Sequence, residues 1–218
     1  MTKQTYVSFD VATKSLGVAI VKLDFTPPII PRCIDDIVRI AKQLDQDTDN
    51  NVKFRMISVK DLIPGKKTKD TSEVERSFQL NKYLQSIANE ISCLDSPTFL
   101  IEYQMGPNNK SRFISAQIIM FCTNFCTNSD QIKLIGPSLK NKFYFPSDPL
   151  SRLEYYLDKY SSNYTANKNH TKYCFLKILR TYKQSHLIKN IAKKNIDDAA
   201  DAAMMAIAYH LFKFIRQS

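Results

Sequence analysis

The alternation of strand-like and helix-like segments is the feature that most restricts the fold of this 218-residue chain. Apolar runs over 5–11, 17–24 and 53–63 predict three strands, and the short link ATKSL between the first two predicts a hairpin. Apolar runs over 98–104 and 131–136 predict two further strands, each preceded by a helical pattern. Strands that alternate with helices in this way favour an α/β fold with a mixed sheet.

The predicted helices are marked by apolar spacing and by their caps. Ser72 and Glu75 match the sequence signature of a capping box, and Pro97 follows the end of that helix. The other helical patterns cover 108–126, 171–192 and 196–215. Helical spacing predicts that the first helix turns these residues inward: Val74, Phe78, Tyr83, Leu84, Ile87, Ile91 and Leu94.

Length and composition favour one domain over 1–218, because no repeat or linker divides the chain. Two stretches are predicted to be insertions: 25–50, with five aspartates, and 139–170, rich in Tyr, Asn, Ser and Lys. No run of about 18 apolar residues predicts a membrane span. The first residues show neither a secretory nor an Arg/Ser-rich presequence pattern, so an intracellular protein is expected.

The net charge of +10 lies entirely after Glu102, since residues 103–218 hold 17 basic and 7 acidic residues. A half-chain this basic favours a polyanionic partner, most simply nucleic acid. A lysine-rich solvated surface, such as an AT-rich genome would encode, is the alternative. Cys122 and Cys126 are four residues apart with no second ligand pair nearby, so reduced thiols are favoured over a zinc site.

Acidic residues form the most informative pattern in the sequence. The segment IDDAADAAMMAIAYH places Asp197, Asp198 and Asp201 at the start of a helix. Either Asp197 or Asp198 can share one helix face with Asp201. An acidic N-terminal turn that interacts with the helix dipole is the ordinary explanation. However, Asp10 and Glu102 end strands, and a carboxylate at the tip of a buried strand needs a partner. Together these oxygen ligands suit Mg²⁺ or Mn²⁺, which would offset their repulsion.

Three segments carry a resemblance to a known family: VSFDVATKSLGVAIV, FLIEYQ and IDDAADAAMMAIA. Their order and elements resemble the RuvC-type branch of the RNase H-like superfamily, over most of the chain outside 25–50 and 139–170. The closest likeness is to the Holliday-junction resolvases of poxviruses and other large DNA viruses, and to their fungal mitochondrial relatives. Two positions depart from the pattern: Ala12 replaces a common glycine, and two residues separate Lys194 from Asp197.

The resemblance implies an RNase H-like fold, in which three antiparallel strands are followed by parallel strands in a five-stranded sheet flanked by helices. It also implies a Mg²⁺-dependent endonuclease that resolves four-way DNA junctions during viral replication or recombination. Such an enzyme would act as a homodimer, in the host-cell cytoplasm if the virus is poxvirus-like.

The resemblance further implies phosphodiester hydrolysis with two Mg²⁺ ions per site, with Mn²⁺ able to substitute, giving 5′-phosphate and 3′-hydroxyl ends. The implied catalytic residues are Asp10, Glu102, Asp198 and Asp201, with Asp10 bridging both ions. Asp197 is a further candidate metal ligand, and the choice between Asp197 and Asp198 stays open.

Basic residues near the motifs are candidate phosphate contacts, although each is equally explained as a solvated surface charge. They are Lys14, Lys66, Lys67, Lys69, Lys110, Arg112 and Lys194. Lys14 or Lys194 could also stabilise charge on the reacting phosphate. Tyr103 could wedge against bases, whereas Phe113 is expected to pack in the core. The helix over 108–126 is either a dimer surface or simply buried.

Three other functions compete with this interpretation. The first is another RNase H-like nuclease, which cuts RNA–DNA hybrids or replication forks with the same acids. The second is a non-catalytic DNA-binding scaffold. The third is an actin-like ATPase, because DVATKSLG resembles its phosphate loop, but 218 residues are few for its two lobes.

Overall fold

The computed structural model describes residues 3–24, 51–103, 109–139 and 155–213. The insertion predicted over 25–50 lies outside these residues, as does the part of the second insertion between 140 and 154. Within the described ranges, no helix is both long enough and apolar enough to cross a membrane.

Five strands form one mixed sheet in the order β3-β2-β1-β4-β5. They are β1 (Gln4–Val11), β2 (Ser15–Leu23), β3 (Val52–Asp61), β4 (Thr98–Glu102) and β5 (Ile132–Ile135). The first three strands pair antiparallel, and β4 and β5 run parallel to β1. The predicted α/β architecture, with three antiparallel strands followed by parallel ones, is confirmed.

Four long helices cover the sheet. They are α1 (Glu73–Ser92), α2 (Asn109–Thr123), α3 (Asn163–Thr181) and α4 (Ile196–Lys213). The predicted capping box of α1 is confirmed, because Glu75 N donates to Ser72 Oγ at 3.1 Å and Ser72 N donates to Glu75 Oε2 at 3.2 Å. This satisfies two backbone donors that the first turn of a helix otherwise leaves unpaired.

The two faces of the sheet bury separate sets of side chains. Alternate residues of β1 point to opposite faces, so Val7 and Phe9 pack with α1 and α2, whereas Tyr6 packs with α3 and α4. Ser8 lies on the same face as Tyr6, and its hydroxyl donates to the α4 carbonyl of Ala202 at 2.6 Å. Tyr6 and Ser8 of β1 therefore both make polar contacts with α4.

The predicted helix over 171–192 was wrong at both ends. The helix α3 begins at Asn163, inside the range predicted as an insertion, and ends at Thr181. Its buried residues include Ala166, His170 and Thr171, which are small or polar and do not form an aliphatic stripe in the sequence. The chain leaves α3 through Lys183, whose φ of 55° cannot continue a right-handed helix.

Three aromatic or aliphatic residues predicted to be inward are exposed. Val74 and Phe78 in α1 are 78% and 68% exposed, and Phe113 in α2 is 48% exposed. Arg76, between the first two, is buried instead, and its Nη2 donates to the carbonyl of Thr68 at 2.6 Å. Arg76 lies four residues before the buried Leu80, so the first turns of α1 bury the same face as the rest of the helix, and Val74 and Phe78 lie off that face.

Candidate active site

The two strand-end acids lie side by side in the sheet. Phe9 of β1 pairs with Ile101 of β4, so Asp10 and Glu102 are the next residues of two parallel neighbours. Side chains at paired positions share a face, and this is the face of Tyr6, covered by α3 and α4. Asp10 is 7% exposed and Glu102 is 4% exposed, so both carboxylates lie in largely dehydrated positions.

The first turn of α4 rests directly on the hairpin that carries Asp10. Gly17 pairs with Asp10 across the hairpin, and a Cβ atom on Gly17 would lie 2.3 Å from the carbonyl oxygen of Asp198. Because no side chain fits there, glycine is required for the helix to approach this closely. Ser15 Oγ donates to Asp198 Oδ2 at 2.7 Å, which holds that carboxylate at the same edge.

A lysine of α3 lies against two of the α4 acids. Lys168 Nζ is 4.0 Å from Asp198 Oδ1 and 3.8 Å from Asp201 Oδ2. The Asp201 side chain is 7% exposed, whereas that of Asp198 is 20% exposed. Both carboxylates therefore share one ammonium group on the side of α4 that faces the sheet edge.

Asp197 is directed elsewhere. Its Oδ1 lies 2.8 Å from Lys172 Nζ, one helical turn beyond Lys168 on α3. The structure thus groups Asp198 and Asp201 around one lysine and sets Asp197 against another. This separates the two neighbouring aspartates between which the sequence left the choice open.

The pKa of Lys168 is shifted by the carboxylates around it. Burial by itself lowers the pKa of this ammonium, but Asp201, Tyr164, Asp198 and Asp10 together raise the pKa above its ordinary value. The field of Asp10 therefore reaches the same point as the fields of the α4 acids. The acids of β1 and of α4 therefore act on the same ammonium group.

The donor chemistry at this edge fits a hard divalent cation. Asp10, Glu102, Asp198 and Asp201 offer oxygen ligands, three of them from residues that are almost fully buried. A cation, the Lys168 ammonium, already lies between two of them. As the side chains stand, no group of three or more His, Cys, Asp or Glu in the described ranges is gathered into a metal-binding cluster.

Known proteins match this chain by structure and not by sequence. No protein-family model matches the chain, and no curated protein matches it. Among solved structures, RuvC of Thermus thermophilus in complex with a Holliday junction substrate matches with a TM-score of 0.51 over 96% of this chain and 95% of that chain, at 10% identity. A second Thermus thermophilus RuvC structure matches with a TM-score of 0.52 over 97% and 98%, at 11% identity.

The chain has the RuvC fold. At 10–11% identity the likeness shows the architecture, and it extends over nearly the whole of both chains. The mixed five-stranded sheet and its flanking helices are thus those of the RNase H-like class.

Several of the predicted basic residues lie around the same edge of the RuvC fold. Lys14 is exposed in the β1–β2 turn, and its carbonyl accepts from Leu62 N at 2.8 Å, which brings the loop after β3 alongside. That loop carries the exposed Lys67. Lys194 is exposed in the short helical turn that leads into α4.

Other predicted basic residues are engaged at the start of α1. Lys66 forms an ion pair with Glu75, and Lys110 Nζ lies 3.9 Å from Glu73 Oε1. Arg112 is exposed on α2. The ion pairs of the two lysines are thus with glutamates of α1 and not with the acids at the sheet edge.

Sequence analysis missed the α3 side of the site. Tyr164, Lys168 and Lys172 recur every four residues on one face of α3, and the Lys168 ammonium lies 5.7 Å from the centre of the Tyr164 ring. The four-residue spacing of two lysines was the available signal. The predicted insertion over 139–170 divides this pattern, because Lys168 falls inside that range and Lys172 falls outside it.

The cysteines of the described ranges carry free thiols. No disulfide joins the described cysteines, and Cys122 is buried in α2. Burial raises the pKa of the Cys122 thiol, with a smaller contribution from Cys126, so this thiol is not activated.

Proposed function

We propose that this chain is a structure-selective DNA endonuclease that resolves four-way junctions with the help of Mg²⁺, with Mn²⁺ able to substitute. One observation carries the proposal: β1, β4 and α4 of a RuvC fold each bring carboxylates to one sheet edge. These are Asp10, Glu102, Asp198 and Asp201. The match to a RuvC structure in complex with a Holliday junction substrate supports branched DNA as the partner.

The same four residues would hold the metal ions. When bound, two divalent ions would supply a nucleophilic water at neutral pH and stabilise the leaving oxygen of a phosphodiester, giving 5′-phosphate and 3′-hydroxyl ends. Asp10 would be central to this set, because it neighbours Glu102 in the sheet and is paired with Gly17, on which Asp198 lies. Asp197 becomes a secondary candidate, because Lys172 holds its carboxylate.

The residues of the chain position the acids and the DNA. Ser15 fixes the carboxylate of Asp198 through its hydroxyl. Lys14 and Lys194 are exposed and would contact phosphates of the DNA near the acids. Selection of a junction over a duplex would follow from the shape and deformability of branched DNA rather than from base edges.

Exposed aromatic residues beside the acids support contact with unstacked bases. Tyr103 directly follows Glu102 and is 42% exposed, and Tyr164 on α3 is 69% exposed. An aromatic ring at a branch point can stack on a base that has lost its neighbour. Either residue would therefore help to hold the branch over the acids.

A homodimer and a viral role complete the proposal. On α2, Phe113 and Met120 are 48% and 72% exposed, which makes that helix a candidate dimer surface. Two-fold symmetry would place two acidic sites for paired nicks. A role in the replication or recombination of a large DNA virus, in the host-cell cytoplasm, rests on the resemblance of the sequence motifs alone.

Cleavage of a labelled synthetic four-way junction tests the proposal, beside matched duplex DNA and an RNA–DNA hybrid. Reactions with Mg²⁺ or Mn²⁺ should give paired nicks near the branch point. Addition of EDTA should abolish these nicks. Asp198→Asn should lower the rate by about 100-fold or more, equivalent to about 2.7 kcal/mol of transition-state stabilisation. Asp197→Asn is the matched neighbour and should stay within about 10-fold of the unaltered protein.

Each alternative function has its own outcome in this assay. Equal cutting of the hybrid would indicate a ribonuclease H activity. Tight junction binding without cleavage in either metal would indicate a scaffold, and the aspartates would then be a helix cap. Equal losses in the two aspartate variants would contradict the distinction drawn from Lys168 and Lys172.

A further inference from the structure

The acidic site contains a positive charge of its own. Lys168 reaches Asp198 and Asp201 from a different helix, at 4.0 Å and 3.8 Å. We propose that Lys168 is the internal counter-ion of this site: its ammonium keeps the carboxylates together in the metal-free protein and moves aside when a divalent cation enters. The second half of this statement rests on the proposed function, and the first half does not.

The distances indicate a shared counter-ion rather than one tight ion pair. Lys172 lies 2.8 Å from Asp197, which is direct contact, whereas Lys168 stands at nearly equal distances from two carboxylates. The Asp201 side chain is 7% exposed, so water screens its repulsion from Asp198 poorly. A positive charge between the two lowers that repulsion.

The acid of β1 lies close to the same pair. Gly17 pairs with Asp10 across the hairpin, and a Cβ atom on Gly17 would lie 2.3 Å from the carbonyl oxygen of Asp198. The ammonium of Lys168 on α3 therefore lies beside an α4 acid that rests on the hairpin of Asp10.

The structure also provides a place for the displaced ammonium. Ala166 and His170 are buried on either side of Lys168, which fixes its backbone, while its side chain is 29% exposed. The Tyr164 ring lies one turn back toward solvent, with its centre 5.7 Å from Nζ. Nζ is thus already within cation–π range of the ring, so a flexible lysine stem can leave the carboxylates and keep this partner without any movement of α3.

The proposal predicts opposite effects on two measurements. Without metal, removal of the ammonium leaves the acids to repel one another, so the protein should unfold at a lower temperature. With metal, the same removal takes away a competitor for the carboxylates, so the cation should bind more tightly. A lysine with a merely structural role would weaken the protein equally in both conditions.

Thermal unfolding of Lys168→Met in EDTA and in Mg²⁺, with direct Mn²⁺ binding measured by electron paramagnetic resonance, tests the inference. In EDTA the melting temperature should fall by about 2–4 °C, corresponding to the loss of one favourable interaction in a chain of this size. In saturating Mg²⁺ this difference should disappear. The Kd for Mn²⁺ should become about 3- to 10-fold tighter.

Two matched variants separate charge from side-chain removal. Lys168→Arg keeps the charge and should melt in EDTA close to the unaltered protein. Lys133→Met removes an exposed partner of Asp130, 3.4 Å away on the surface, and should change neither the metal response nor Mn²⁺ affinity. If Lys168→Met folds only when Mg²⁺ is added, this also supports the proposal, because the variant is then destabilised without metal and rescued by metal.

Several outcomes would overturn the inference. These are an unchanged or higher melting temperature of Lys168→Met in EDTA, weaker Mn²⁺ binding, failure to fold with or without Mg²⁺, or a loss in Lys168→Arg as large as in Lys168→Met. Failure of the unaltered protein to bind Mn²⁺ would count against the proposed function and the displacement step. The melting temperatures in EDTA would still decide whether Lys168 is the counter-ion.

Discussion

The two faces of the sheet are packed by different means. On one face, α1 and α2 present large aliphatic side chains such as Leu80, Leu84 and Ile118 to the sheet. On the other face, half of the buried residues of α4 are alanines. Its buried alanines are Ala199, Ala200, Ala202, Ala203, Ala206 and Ala208.

The small residues let the backbone of α4 approach the strands. Its Asp198 carbonyl lies over Gly17, and Ser8 donates to its Ala202 carbonyl. Such contacts depend on backbone positions, whereas aliphatic packing depends mainly on filled volume. The comparison teaches that close backbone contacts of α4 set the position of the acids, whereas α1 and α2 contribute mainly filled volume.

Leu84→Ala should have the largest effect on stability and no effect on chemistry. Leu84 is 2% exposed in the α1 face, so its truncation should lower the free energy of unfolding by about 2–5 kcal/mol. Urea denaturation measures this loss. Junction cleavage per folded molecule should be unchanged, and a fall under conditions where the protein is fully folded would break the distinction between the faces.

Gly17→Ala should affect both properties. Its new Cβ would lie 2.3 Å from the Asp198 carbonyl oxygen, so α4 must shift, at a cost of about 1–3 kcal/mol in the free energy of unfolding. The shift also moves Asp198, and cleavage should fall by about 10-fold or more. Gly136→Ala is the matched control, because a Cβ there meets nothing within 4 Å. Equal behaviour of the two variants would show that the close approach is unimportant.

Tyr6→Phe should have the smallest effect and sharpen the comparison at the far end of α4. Tyr6 Oη lies 2.9 Å from His210 Nδ1, and loss of this hydrogen bond should lower the free energy of unfolding by about 0.5–1.5 kcal/mol at neutral pH. A normal junction-cleavage rate at neutral pH would agree with a structural role. A large loss of cleavage would contradict it.

The pH dependence of this variant gives a further check. Burial, and to a lesser extent Tyr209, raises the pKa of Tyr6, so its phenol stays neutral in the folded protein. Above about pH 10 the phenol ionises in the unfolded chain, which then binds fewer protons than the folded one. Tyr6 therefore lowers stability as the pH rises, and the deficit of Tyr6→Phe should shrink between pH 10 and 11 in urea titrations.

Much of the fold could be predicted because its signals are local. The apolar runs of β1, β2 and β4 are nearly continuous, and the capping box of α1 lies within four residues. The strand-end positions of Asp10 and Glu102 follow from the same runs. Parallel pairing of β1 with β4 then brings the two acids to one edge.

The missed parts depend on tertiary packing. The helix α3 buries small and polar residues such as Ala166 and Thr171, so its first turns carry no apolar period. The direction of Lys168 is set by how α3 crosses α4, which no single sequence reveals. The same crossing separates Asp197 from Asp198, since adjacent helical residues point about 100° apart.

Apolar residues also misled the prediction at the start of α1. Val74 and Phe78 are exposed because they lie off the buried face, on which Arg76, Leu80 and Leu84 recur every four residues. Arg76, buried beside them, shows that the first turns face polar backbone rather than the aliphatic core.

The spacing of the contacts between α4 and β1 has a consequence for insertions and deletions. Asp198 lies over Gly17, the partner of Asp10, and Ala202 is bound by Ser8. Two strand residues advance about 6.6 Å and four helical residues about 6 Å, so the helix and the strand stay in step between these contacts. Loss or gain of one residue between Asp198 and Ala202 would rotate the acids by about 100° relative to the strand. The interval from Asp198 to Ala202 is therefore the part of the last helix in which an insertion or deletion would act most directly on the acids.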